Sequence, residues 1–126
     1  MRRLAPLIIL LLAGCSSTPT TLVESDVPIP PGMQVCFSEG LKRNGPALTA
    51  GWFVLWGNVV DAEQQANATS ERFSENGWRE TDRIMLPKLA KLTFAKDTRT
   101  VLVDIDARRV DPGSSSASIT VTSGGQ

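Results

Sequence analysis

Residues 51–78 read GWFVLWGNVVDAEQQANATSERFSENGW, and the fold turns on how this stretch divides. Its first ten residues, Gly51 to Val60, form the most apolar window outside the extreme N-terminus. They carry Trp52, Phe53, Val54, Leu55, Trp56, Val59 and Val60. Aromatic and β-branched side chains in so short a run predict a strand. Apolar residues fall on both of its faces, which predicts a central strand. At Asp61 the period changes. Asp61 is a good N-cap, and Gln64 three residues later completes a capping-box pattern. Ala62, Ala66, Thr69 and Phe73 then recur at helical spacing and make one narrow apolar face. Glu63, Glu71, Arg72 and Glu75 lie off that face. Gly77, able to adopt positive φ, predicts the stop, with Trp78 folding back on the last turn.

Working outward, Met33 to Ser38 reads as a short strand. Glu39 to Leu48, with Gly40, Asn44, Gly45 and Pro46, reads as turn and loop. After the helix come Trp78 to Leu86 and, past Pro87-Lys88, Leu89 to Lys96, with Leu92 and Phe94 inward and Lys91, Thr93 and Ala95 outward. Val101, Val103, Ile105 and Ala107 alternate against Leu102, Asp104, Asp106 and Arg108. After a loop at Asp111 to Ser116, Ala117, Ile119 and Val121 alternate against Ser118, Thr120 and Thr122. Period-2 alternation of this kind marks strands with one wet face. The layout is α+β: a single antiparallel sheet of about five to six strands, in ββαβββ(β) order, with one helix across one face. Parity alone leaves open which pair meets the helix, Trp52 and Trp56 or Phe53 and Leu55. If Phe53 and Leu55 face outward, an apolar patch remains on the open face, and such patches mark partner sites.

The N-terminus carries a different signal. Arg2 and Arg3 precede the apolar run Leu7 to Leu12, and Leu12-Ala13-Gly14-Cys15 follows. A positive start, a short apolar middle and small residues before a cut describe a secretory signal. The run is too short to span a bilayer, which takes about 20 residues. Leu12, Ala13, Gly14 and Cys15 resemble the lipobox of bacterial lipoproteins. The resemblance implies cleavage by signal peptidase II before Cys15, a diacylglycerol on its thiol and an acyl chain on its new amino group. It also implies, through Ser16, delivery to the outer membrane, with the domain on the periplasmic side. Two or more chains anchor stably where one does not. The remaining chain more loosely resembles small bacterial lipoproteins of unknown role. That likeness rests on Val27-Pro28-Ile29-Pro30-Pro31-Gly32, Gly77-Trp78 and Leu92-Thr93-Phe94-Ala95-Lys96, and implies no activity.

The expected organisation is therefore a signal peptide at 1–14, a lipidated cysteine and Pro/Ser/Thr-rich tether at 15–32, an α+β domain at 33–122 and a frayed tail at 123–126. Four prolines in the tether favour extended geometry, which over its length reaches about 50 Å. The whole chain has 13 basic and 13 acidic residues and no histidine or tyrosine. Without Arg2 and Arg3, 11 basic residues face 13 acidic ones. That balance disfavours nucleic acid, which asks for a concentrated basic face. The lack of histidine removes the usual neutral-pH acid–base group and the commonest metal ligand.

Few residues invite chemistry. With Cys15 acylated, Cys36 is the remaining thiol. Val35 and Phe37 flank it, and it reads as a packed, inert cysteine. Asp104 and Asp106 project from one strand face and read as solvated carboxylates balanced by Lys91 and Arg108. A flat strand does not supply the six or more oxygens that calcium wants. Glu80 and Asp82 read the same way, and Lys42 and Arg43 read as exposed bases. The Asn67-Ala68-Thr69 sequon falls within the helix and reads as chance. No catalytic residue, metal site or cofactor is expected.

The functional expectation is a non-enzymatic, membrane-anchored accessory or protein-binding domain of the bacterial envelope. It is held to lipid through acylated Cys15 and meets an envelope protein by its sheet face or an edge strand. The alternative is a binding module for a small apolar or glycan ligand at Trp52 and Trp56. The partner surface is sought among Trp52, Phe53, Leu55 and Trp56.

Overall fold

A computed structural model describes residues 20–107 and 114–124. The expected signal peptide, Cys15, Ser16, Arg108 and residues 111–113 of the expected loop lie outside these residues. Six strands form one antiparallel sheet: β1 (Met33–Asn44), β2 (Ala47–Gly57), β3 (Arg79–Met85), β4 (Leu89–Lys96), β5 (Arg99–Asp106) and β6 (Ser115–Ser123). Their order across the sheet is β1-β2-β6-β5-β4-β3. The one α-helix among the described residues, α1 (Ala62–Glu75), links β2 to the far edge strand β3 and packs on β3, β4 and β5. The expected α+β class, sheet and helix are the observed ones. Among the described residues no helix is long and apolar enough to cross a membrane.

The helix starts and stops on the chemistry its sequence supplies. Asp61 Oδ1 accepts from the Glu63 and Gln64 amides at 2.9 and 3.4 Å. Gly77 takes φ +87°, and the Trp78 amide reaches back to the Phe73 carbonyl at 3.0 Å. Ala62, Ala66, Thr69 and Phe73 are the buried residues of the helix. Small residues let the helix lie close to the sheet. Phe73 then stacks on Phe94 of β4, 4.1 Å between centroids, and meets Trp78 edge-on at 6.1 Å.

The inner sheet face carries Ala90, Leu92 and Phe94 of β4, Val101, Val103 and Ile105 of β5, and Ala117, Ile119 and Val121 of β6, all buried. Phe53 and Leu55 of β2 join them at 0% exposure. Parity left this choice open, and packing makes it: the two slimmer side chains go inside and the tryptophans go out.

The extended tether to Gly32 is corrected from Thr20 onward. Leu22, Val27 and Ile29 belong to the same core as the strands. A helix about 10–12 Å wide cannot cover six strands spaced about 4.8 Å apart. The 20–32 segment fills the vacancy beside β1 and β2. It makes a 3-10 turn at Leu22–Glu24 and a bridge between Thr21 and Pro28. Arg72 and Gln65 of α1 hold it by donating to the carbonyls of Ile29 and Pro31, at 3.0 and 2.7 Å.

The loop expected at Glu39 to Leu48 is mostly strand. β1 runs on to Asn44, and Gly45-Pro46 alone make the turn, with Gly45 at φ +64° as tight hairpins require. Glu39, Lys42 and Arg43 lie on a wet edge strand, so apolar alternation never appears in the sequence. Gly40 at φ +68° marks a bulge rather than a reversal.

Candidate binding surface

The helix and the 20–32 segment cover one face of the sheet and leave the other open. Cross-strand pairing lays the open face out in rows. One row runs Glu39, Trp52, Thr120, Leu102, Thr93, Asp82. The next runs Phe37, Val54, Ser118, Asp104, Lys91, Ile84. The third runs Gln34, Trp56, Ser116, Asp106, Leu89. The β1–β2 side is therefore aromatic, and the middle is hydroxyl-rich.

Of the four residues sought as a partner surface, the structure keeps two. Trp52 and Trp56 stand on the open face, exposed by 42% and 48%. Phe53 and Leu55 are core residues and cannot touch a partner. Phe37, which sequence reasoning passed over, joins the surface at 49% exposure and meets Trp52 edge-on, 5.6 Å between centroids. Cys36 hid it. Val35 pairs with Leu55 and Phe37 with Val54, so Cys36 is the extra residue of a bulge that shifts the parity of everything after it. The bulge also corrects the packed-cysteine reading: Cys36 is exposed, and its thiol donates to the Val54 carbonyl at 3.3 Å.

Neither sheet edge invites a further strand. β1 is interrupted at Cys36 and again between Glu39 and Lys42. β3 has its own irregularity between Glu80 and Asp82 and carries Arg79, Glu80, Asp82 and Arg83. Bulges and charges are the devices that keep edges from pairing. The open face, not an edge, is the available surface.

Several polar side chains read as solvated have structural partners instead. Glu80 turns toward the helix, pairs with Arg83 at 2.9 Å and accepts from Ser70. The Arg83 hydrogen bond, against the opposing effect of burial, keeps the Glu80 carboxyl below its usual pKa. Arg43 donates to the carbonyls of Val23 and Glu24 at 2.8 and 3.2 Å. It holds a turn in which both residues take positive φ, +39° and +55°.

A polar cluster lies where the 20–32 segment meets the sheet. Asp26 accepts from both terminal nitrogens of Arg99, at 3.0 and 2.7 Å, and from Lys96 Nζ at 3.1 Å. Its backbone carbonyl accepts from the Trp78 indole N–H at 2.8 Å. Lys96 and Arg99 both lie over the Trp78 ring, 5.6 and 5.0 Å from its centroid. Asp97 accepts from Arg99 Nε and Nη2, both at 3.0 Å, and the Leu48 carbonyl accepts from Nη1 at 3.0 Å. Burial opposes the charge on Asp26, but hydrogen bonds from Arg99 and Lys96, the Arg99 charge and the Leu48 amide together lower its pKa to about 2. Asp26, first among its partners, holds Arg99 above the usual guanidinium range. Two carboxylates and two cations, mutually satisfied, make a fastener and leave no reactive group free.

Among the described residues no three His, Cys, Asp or Glu side chains converge to hold a metal ion. Compared with protein-family models, curated proteins and solved structures, the chain matches none.

Proposed function

We propose that this protein is a lipid-anchored component of the bacterial cell envelope that acts by binding rather than catalysis. Cys15 carries the anchor, and the open sheet face meets an envelope protein. The observation that supports the binding role is the pair Trp52 and Phe37, two large aromatic side chains left half-exposed against each other on a face that no helix covers. Exposed apolar groups grouped within polar surroundings are the usual mark of a partner site. Trp is also the residue type most enriched at interface centres. Thr120 and Ser118 beside them offer hydroxyls for a polar rim.

The same layout favours a protein partner over a small ligand held between the two tryptophans. Trp52 and Trp56 are four residues apart on one strand, so about 13 Å separates them. Val54 faces outward between them, and the cleft it lines with Ser116, Ser118 and Lys91 takes in neither tryptophan.

Two measurements test the proposal. Mass analysis of the N-terminal peptide and membrane fractionation of Cys15→Ala report on the anchor; an unmodified Cys15 removes it. A photo-crosslinker placed at Thr120 in intact cells reports on the face. The proposal requires an adduct of defined size that Trp52→Ala abolishes; an adduct indifferent to Trp52→Ala overturns it.

A further inference from the structure

Four exposed apolar side chains lie at one end of the sheet, the end where β1 begins and β2 stops. Trp56, Val60, Leu86 and Leu89 are exposed there by 48%, 68%, 50% and 36%. Trp56 and Leu89 share a cross-strand row through Ser116 and Asp106. Leu86 and Leu89 close the β3–β4 turn by exchanging backbone hydrogen bonds at 2.8 and 3.3 Å. Val60 and Pro87 line one cleft, which sets the β2-to-helix link against that turn. The carboxylate of Asp61 is turned onto the helix amides. Lys88 and Asp106 balance each other in sign.

The chain arrives at this same end. Thr20 lines a cleft of about 410 Å³ with Trp56, Met33 and Gln34. It is tied down where its carbonyl accepts from the Ile29 amide at 2.8 Å. Cys15 lies five residues earlier, and five residues span at most about 18 Å. Six strands at about 4.8 Å spacing make a sheet about 24 Å wide. The leash is thus shorter than the domain is broad, because the segment read as tether is folded into the core.

We infer that this end of the domain rests on the bilayer surface, with Trp56 among the headgroups and Val60, Leu86 and Leu89 at the acyl boundary. The inference depends on the lipid anchor proposed above. The short leash holds this end close to the lipid. Tryptophan is the residue that settles at a membrane–water boundary, with its ring in the apolar layer and its N–H in the wet one. With one base, Lys88, against two acids, Asp61 and Asp106, the contact is apolar and does not draw on anionic lipid. It leaves Trp52 and Phe37, further along the open face, free for a protein partner.

The test uses the full-length protein purified from membranes, with its N-terminal mass determined, in phosphatidylcholine vesicles whose acyl chains carry bromine. Contact with bromine darkens tryptophan. The expected result is a loss of emission in the natural protein and in Trp52→Phe that disappears in Trp56→Phe. Buried Trp78 remains in every variant to report an intact fold. An acylated protein whose emission is unchanged, or a Trp56→Phe variant quenched like the natural one, overturns the inference alone. A Cys15 without lipid overturns the inference and the anchor together.

Discussion

Asp26 and Arg99 are 73 residues apart and meet in a two-pronged ion pair, 2.7 and 3.0 Å, that fastens the N-terminal segment to β5. Arg99 is 4% exposed, so it depends on its partners for every charge it faces. Asp26→Asn should cost about 2–3 kcal/mol, the usual result of leaving a buried cation short of a carboxylate. Urea denaturation of the two proteins checks it. A midpoint unchanged by the substitution contradicts this account of how residues 20–32 are held.

The same pair sets an acid limit. The folded pKa of Asp26, about 2, lies below its ordinary value of 3.8. A depressed folded pKa contributes stability that is complete above the unfolded value and fades as protons bind between the two. Stability attributable to Asp26 should therefore be flat above about pH 5 and fall between about pH 4 and pH 2. The contribution is about 1 kcal/mol once solvent screening is allowed for. The gap between the natural protein and Asp26→Asn in denaturant unfolding should narrow by about that amount across the window.

Phe53 and Trp52 are neighbours on β2 with opposite fates. Phe53→Ala should destabilise by about 3–5 kcal/mol, the cost of a cavity in a filled core. Trp52→Ala removes a side chain that is largely outside and should cost about 1 kcal/mol or less. Thermal or denaturant unfolding separates them. Equal losses would mean that the tryptophan face is covered by something in the protein itself.

Asp61→Ala should cost about 1 kcal/mol, the typical penalty for removing an N-cap acceptor. Asp61→Ser should restore most of it, since a hydroxyl oxygen can accept the same amide. A full loss in both variants would assign Asp61 a role other than capping.

Cys36 should react with a maleimide in the folded protein about as readily as in urea, because the bulge turns it to solvent. Protection in native conditions that urea removes would show that another molecule, or a second copy, covers β1.

The helix was legible because its information is local. Asp61, the four-residue apolar face and Gly77 lie within one short stretch, and each acts on its immediate neighbours. The alternating strands β4, β5 and β6 were legible for the same reason, since one dry and one wet face write a period into the sequence. The N-terminal half of the sheet was not. A bulge at Cys36 shifts the parity of β1, so Phe37 cannot be assigned a face by counting. The role of Leu22, Val27 and Ile29 was hidden by the prolines around them. Those prolines fix the backbone of a packed segment as readily as they extend a loose one. The partners of Arg43, Glu80 and Arg99 were out of reach for a different reason. A charge whose mate arrives from a distant part of the chain looks, in sequence, like any other charge in water.

Strand order gives the sheet a consequence in time. β2 is flanked by β1 and by β6, the last strand made. Until β6 emerges, β1 and β2 form an isolated ribbon, which is marginal in water. Asp26 likewise has no cation to meet until β4 and β5 have been synthesised. The β1–β2 half of the sheet therefore waits for the last strand, whereas β3, β4 and β5 find one another and α1 earlier.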